Sequence, residues 1–306
     1  MRCDRCLKPA VTFIRYNGSH LCSEHFIDYY EKRVKKEIKK QVGKLPQEGV
    51  VAVAVSGGKD SLVAMKILAD LLRPRRKVKL HAITIDEGIE GYRPKSIGLA
   101  ARYAKWWGVD HHVVSFKESV GCSLDEIVRT KDEDVSECGY CGVLRRMLMN
   151  SKARELGAAM IATGHNLDDV SQSILMNFVS GDIEKLSRLG PHTDVKEGLI
   201  PRIMPLRTVT EKENVIYALL NGIELHEQEC PYTVNAHRQE FRSIVETLES
   251  RTPGTRHSIV KSYDVLKPLL LEKYGGTKIN RCERCGEPTS AKVCKSCLLV
   301  DKLKRK

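Results

Sequence analysis

Val50-Val51-Ala52-Val53-Ala54-Val55-Ser56-Gly57-Gly58-Lys59-Asp60-Ser61 joins an unbroken apolar run to a loop of small residues. Apolar residues without alternation suit a parallel strand buried on both faces. Beyond the loop, Leu62, Val63, Met65, Leu68 and Leu72 recur at helical spacing, and Pro74 stands just past them. The loop therefore links a strand to a helix, where small residues let backbone N–H groups turn toward a phosphate at the helix N-terminus. Lys59 adds a point charge. A Walker A loop would need Ser or Thr directly after the lysine and a glycine at its start, where Asp60 and Val53 stand instead.

Working outward, strands are expected at Val78 to Ile85, His111 to Phe116 and Ala158 to Thr163. Helices are expected from Pro94 through Trp107 with Gly108 as the stop, from Val143 to Leu156, and from Asp168 to Val179. This alternation predicts an α/β fold, a parallel sheet with helices on both faces. Ligands of such sheets bind at the carboxyl ends of the strands, where Ser56-Gly57-Gly58, Asp86-Glu87-Gly88 and Gly164-His165-Asn166 fall. Upstream, Phe26 to Lys44 reads as an amphipathic helix with Tyr30, Val34 and Ile38 at four-residue steps. Downstream, Thr210 and Glu213 form a capping box for a helix ending near Asn221-Gly222, and a Lys/Arg-rich helical tract runs toward Tyr274-Gly275-Gly276.

The 306 residues carry a net charge of +12, which points to a polyanionic partner, nucleic acid first. With 42% hydrophobic and 29% charged residues, disorder is not the default. No apolar run reaches membrane-spanning length and Met1-Arg2-Cys3-Asp4 is not a signal peptide, so a cytoplasmic address is expected. Eleven cysteines in that compartment argue for metal ligation over disulfides.

Their spacing sorts them. Cys3, Cys6, Cys22 and His25 form two close pairs, as do Cys282, Cys285, Cys294 and Cys297; each set suits a tetrahedral Zn²⁺. Cys138 and Cys141, read as lying in a loop before a helix, could combine with Cys230. These three suit an iron–sulfur cluster, a zinc site completed by Cys122, or catalytic thiols, and spacing alone leaves all three open. Cys122 otherwise reads as an incidental thiol. Trp106 and Trp107 read as packing residues and His111-His112 as strand. The basic helix at Lys32 to Lys40 could hold RNA or be a solvated face; Arg145 and Arg146, just after Cys141, could steady an anionic intermediate or simply be exposed.

The loop resembles the PP-loop of the ATP pyrophosphatases, which cleave ATP between the α and β phosphates, and Thr163 to Asp169 is similar to that family's second signature. The ordered set of zinc module, PP-loop, Cys-x-x-Cys, Gly-His-Asn-Leu-Asp-Asp, distant Cys-Pro and second zinc module resembles the tRNA 2-thiouridine synthetases across nearly the whole chain. The TtuA-type branch, which thiolates the T-loop 5-methyluridine, is favoured over the wobble-uridine branch. The resemblance implies a Rossmann-like PP-loop fold with two zinc modules, divided into 1–27 zinc finger, 28–48 linker helix, 49–222 catalytic domain, 223–277 helical extension, and 278–306 zinc finger with basic tail. It implies ATP and Mg²⁺ held by Ala54, Ser56, Gly57, Gly58, Lys59, Asp60, Ser61, Ile85, Gly164, His165, Asp168 and Asp169, with Lys59, Asp60 and Asp169 catalytic. It implies a [4Fe-4S] cluster on Cys138, Cys141 and Cys230, tRNA as substrate, a thiocarboxylated ubiquitin-like sulfur carrier, and a homodimer. The rivals are a PP-loop amide- or lysidine-forming ligase, and a zinc-stabilised RNA-binding protein with a dead nucleotide loop.

Overall fold

A computed structural model describes residues 1–131, 135–193, 198–226, 228–233, 238–275 and 279–304; Gly276 and the last two residues of the basic tail lie outside them. A hairpin of β1 (Thr12–Ile14) and β2 (Ser19–Leu21) leads into α1 (Ser23–Val42). Then follow β3 (Gly49–Ala54), α2 (Lys59–Leu72), β4 (Val78–Asp86), α3 (Arg93–Trp107), β5 (Asp110–Ser115), α4 (Phe116–Val120) and α5 (Leu124–Thr130). Next come α6 (Glu137–Glu155), β6 (Ala158–Ala162), α7 (Leu167–Val179), α8 (Ile183–Ser187), β7 (Arg202–Ile203) and α9 (Glu211–Leu220). The chain continues with α10 (Arg238–Arg251), α11 (Thr255–Tyr274), the strands β8 (Asn280–Arg281) and β9 (Pro288–Thr289), and α12 (Lys295–Lys304).

The central sheet is parallel, in the order β5-β4-β3-β6-β7. Chain direction across the sheet reverses between β3 and β6, so the loops leaving these two neighbours open a crevice at a topological switch point. The unbroken apolar run of β3 is buried on both faces as its pattern requires. Val51 and Val53 pack with α1, α2, α3 and α9, while Ala52 packs on the other side with α4, α5, α6 and α12. Along α1, Phe26, Tyr30, Val34 and Ile38 are all buried, each worth roughly 2 kcal/mol of transfer free energy. The N-terminal helix is thus part of the main core.

Three expectations need correction. Cys138 and Cys141 lie inside the first turns of α6, not in a loop before it: Ser136 caps the helix by accepting a bond from the Gly139 N–H at 3.1 Å, and Tyr140 anchors the turn in the core. Gly139 and Gly142 mask this start, because glycine disfavours a helix interior. Trp106 is not a core residue: the buried stripe Leu99, Ala100, Tyr103 and Ala104 continues to Trp107 and leaves Trp106 69% exposed at its margin, stacked on the Tyr103 ring. The basic face of α1 is largely neutralised, with Lys32 on Asp28, Lys35 on Glu31 and Lys40 on Asp264. Arg33 is instead half-buried against Glu213 of α9.

Candidate active site

The phosphate loop follows Ala54 and is held by its own serines. The Ser61 hydroxyl donates to the Gly58 carbonyl at 2.8 Å and accepts from the Ser56 N–H at 3.1 Å, and the Gly58 N–H donates to Ser56 Oγ at 3.3 Å. Gly57 has φ of +87°, and a Cβ there would lie 2.0 Å from the Ser96 carbonyl oxygen of α3. On the other side, a Cβ on Gly164 would lie 2.8 Å from the Ser61 nitrogen. The two signature loops therefore touch through glycines, and their proximity depends on missing side chains.

Lys59 at the start of α2 lies 2.7 Å from Glu211 and 3.3 Å from Asp60. Burial raises the Asp60 pKa, and Lys59 opposes the rise. Asp60 also accepts from the Asn214 amide at 2.6 Å, and the other end of that amide accepts from the Tyr30 hydroxyl of α1. Asn214 is wholly buried and joins the N-terminal helix to the phosphate loop. Replacing Asn214 by alanine is expected to leave two buried polar partners unsatisfied, costing about 2–4 kcal/mol and weakening ATP binding. Urea unfolding and a nucleotide titration check both.

Asn166 caps α7 in a reciprocal box with Asp169: Asn166 Oδ1 accepts from the Asp169 N–H at 3.0 Å, and Asp169 Oδ2 accepts from the Asn166 N–H at 3.2 Å. This leaves Asp169 Oδ1 toward the cleft, 3.4 Å from Arg238. Asp168 points to the rear, 2.8 Å from Arg256 and accepting from the Glu211 N–H at 2.8 Å, and burial pushes its pKa up to about 6 against the pull of Arg256. His165 stands exposed in the cleft, its pKa lowered by crowding of the walls and by Arg238, Arg145 and Arg202. Ile85 lies near the end of β4, and its carbonyl accepts from Arg93.

Cys138 and Cys141 on α6 lie near enough to Cys230, beyond α9, to feel its charge, and Cys138 Sγ is 3.8 Å from the Tyr232 carbonyl oxygen. Burial raises the Cys230 thiol and pushes Cys141 up to about 11, while Arg145, one turn along α6, pulls each down. Tetrahedral zinc at about 2.3 Å from each sulfur needs sulfurs roughly 3.8 Å apart. The terminal sets match this, with Cys6–Cys22 at 3.7 Å, Cys285–Cys294 at 3.6 Å and Cys282–Cys297 at 3.9 Å; His25 Nδ1 lies 3.3 Å from Cys3 and 3.4 Å from Cys22. The Cys294 N–H also helps draw the Cys282 thiol down to about 6, toward the thiolate a metal requires. Among the described residues, only these two sets have all ligand atoms within 4.8 Å of one another. The Cys138, Cys141 and Cys230 sulfurs are not gathered this closely.

Sequence reading missed several residues here. Arg93 and Glu87 are buried and paired at 2.6 Å beneath the loop, and Arg145 reaches Glu87 at 3.1 Å. Arg202 lies 3.4 Å from the Arg146 carbonyl, and burial lowers both pKa values, helped by Arg145 at Arg146 and by Arg146 at Arg202. Glu211, Asn214, Arg238, Arg242 and Arg256 close the rear and flank. Their only sequence signal was position in a capping box or a basic helical tract, because polar residues ordinarily face solvent.

The family model of the PP-loop domain matches residues 30–248, and that of the N-terminal LIM domain of the 2-thiouridine synthetase TtuA matches residues 2–27. The tRNA 2-thiolation protein NcsA of Haloferax volcanii is 39% identical over 99% of each chain. The tRNA-5-methyluridine(54) 2-sulfurtransferase of Pyrococcus horikoshii is 34% identical, covering 97% of this chain and 93% of that one. Among solved structures, the U34-tRNA thiolase NcsA of Methanococcus maripaludis with its [4Fe-4S] cluster superposes with a TM-score of 0.84 and 33% identity, over 99% of this chain and 96% of that one. The PP-loop model spans most of the chain and these relatives match it over nearly their full length, so the chain belongs to the PP-loop family of tRNA 2-thiolation proteins.

Proposed function

We propose that this protein is an ATP-dependent tRNA sulfurtransferase that replaces the C2 oxygen of a uridine by sulfur. The observation that carries this reading is that the phosphate loop touches the Gly164 loop, whose His165 feels the charges of both Asp169 and Arg145, the arginine beside Cys141. Uridine O2 attacks the α-phosphate of ATP, the bond to pyrophosphate breaks, and the N3 proton is released. Sulfur at the sulfide oxidation level then attacks C2; AMP leaves with the original oxygen and N3 regains its proton, so no redox partner is needed. Gly57, Gly58, Lys59 and Ser61 hold the phosphates, and Asp60 and Asp169 would hold the Mg²⁺ that offsets charge on the departing pyrophosphate. Arg145, Arg146, Arg202 and Arg238 supply positive charge for the RNA backbone.

Cys138, Cys141 and Cys230 would hold a [4Fe-4S] cluster, which when bound leaves one iron without a protein ligand and open to sulfur. The terminal sets would hold two structural Zn²⁺. A thiocarboxylated ubiquitin-like carrier as donor, a homodimeric assembly and a cytoplasmic setting complete the reading.

For the target, the wobble uridine is favoured, because the 39%-identical relative shares the name NcsA with the solved U34 thiolase. The T-loop position keeps one observation in its favour, the match of residues 2–27 to the TtuA N-terminal module. Anaerobic enzyme, unthiolated tRNA, ATP and sulfide, followed by fragment mass spectrometry, decide between them. Sulfur in the anticodon fragment supports the first, and in the T-loop fragment the second. An amide or lysidine product, or none, sinks the sulfurtransferase reading. Lys59→Ala is expected to lower the rate about 10²–10³-fold in this assay, as loss of one preorganised charge at the departing pyrophosphate would.

A further inference from the structure

The loop after β4 starts a chain of charges whose buried members, Glu87 and Arg93, the chemistry above does not use. Arg93 donates to the Ser56 carbonyl of the phosphate loop at 3.0 Å and to the Ile85 carbonyl at the end of β4. Its Nε lies 2.6 Å from one oxygen of Glu87, and both side chains are only 4% exposed. The other Glu87 oxygen lies 3.1 Å from Nε of Arg145. Arg145 in turn places its guanidinium against the Cys141 thiol one helical turn back. One carboxylate therefore grips two arginines, one beneath the phosphate loop and one at the cysteine site.

Two guanidinium groups offset the charge of the buried carboxylate, although Glu87 Oε2 and Arg93 Nε form no hydrogen bond, and removing that charge leaves both cations to find new partners. Arg93 would keep its three backbone and hydroxyl acceptors, at Ser56, Ile85 and Ser96. Arg145, half-exposed, has no comparable alternative hold, so the link would fail at its α6 end.

We propose that Glu87 is a positioning residue that couples the phosphate loop to the start of α6, so that nucleotide bound at Ser56–Ser61 orders the Cys138–Arg146 turn. This rests on the reading that ATP binds the loop, and goes beyond it. Displacement of the Ser56 carbonyl is passed through Arg93 and Glu87 to Arg145, and hence to the helix turn bearing two of the three thiolates. The coupling would prime the sulfur site only when ATP is in place.

The test is amide hydrogen exchange on the anaerobically purified full chain, with and without Mg-ATP, for wild type, Glu87→Gln and Arg145→Gln. ATP is expected to slow exchange about five-fold or more in wild type, both in residues 56–61 and in residues 138–146. In each variant the protection of 56–61 should persist, with ATP affinity within about three-fold of wild type, while that of 138–146 disappears. Arg145→Gln cuts the link at a half-exposed side chain, so the test survives if Glu87→Gln folds poorly. Protection of 138–146 that survives Arg145→Gln, or its absence in wild type when 56–61 is protected, overturns the coupling alone. No protection at 56–61 in wild type overturns the nucleotide reading and the coupling with it.

Discussion

Cys230→Ala is expected to abolish thiolation, a fall of about 10³-fold or more, together with the broad visible absorbance of the anaerobic protein. Cys138 and Cys141 share one helix and cannot by themselves enclose a cluster, whereas Cys230 arrives from beyond α9 and would supply the opposing ligand. The side chain is only partly buried, so the variant should melt within a few degrees of wild type, with metal content at the two terminal sets unchanged. Iron and sulfide analysis with a visible spectrum checks the result, and Cys138→Ala and Cys141→Ala should behave alike. Zinc alone, unchanged in all three variants, would remove the cluster from the mechanism and favour a thiol relay or a ligase.

Gly57→Ala is the second large effect, and it arises from sterics alone. The new Cβ would lie 2.0 Å from the Ser96 carbonyl oxygen and 2.8 Å from its Cα, both backbone atoms of α3 that cannot rotate aside. The left-handed backbone at φ +87° adds about 1–2 kcal/mol for any L side chain. Together these should cost about 3–5 kcal/mol of stability and at least 100-fold in ATP affinity, since relief of the clash opens the loop. Gly58→Ala is the internal control: its only neighbour within 4 Å would be Ser56 Oγ at 3.5 Å, so it should melt near wild type. Equal destabilisation of the two variants would show that the Gly57 contact is not what fixes the loop.

The parts of this molecule legible in sequence are those governed by local rules. The β3 run, the helical stripe of α2, the Thr210 and Glu213 capping box and the left-handed Gly108 stop all emerge where periodicity and turn chemistry place them. The metal sets were legible because tetrahedral coordination demands close pairs. The α6 start was hidden because its signal, Ser136, was outweighed by two glycines, while the decisive fact was burial of Tyr140. The Arg93–Glu87–Arg145 chain and the Tyr30–Asn214–Asp60 bridge were beyond reach. Each joins polar residues that local pattern assigns to solvent, the second across 184 positions from Tyr30 to Asn214.

The packing of α12 has a consequence for how the protein is made. Leu299 is buried with Tyr140 and Leu144 of α6, Val300 and Leu303 pack beside it, and Glu287 pairs with Arg154 at the other end of that helix. Residue 295 leaves the ribosome 140 residues after residue 155 (295 − 155), a delay on the order of ten seconds at typical elongation rates. Throughout that interval one flank of α6 has no cover, so the nascent chain carries a sticky apolar strip that its own later residues must seal. Interrupted synthesis would therefore release a species that marks itself for chaperones and proteolysis, and the three-cysteine site would gain its final support only after the second cysteine module has been made.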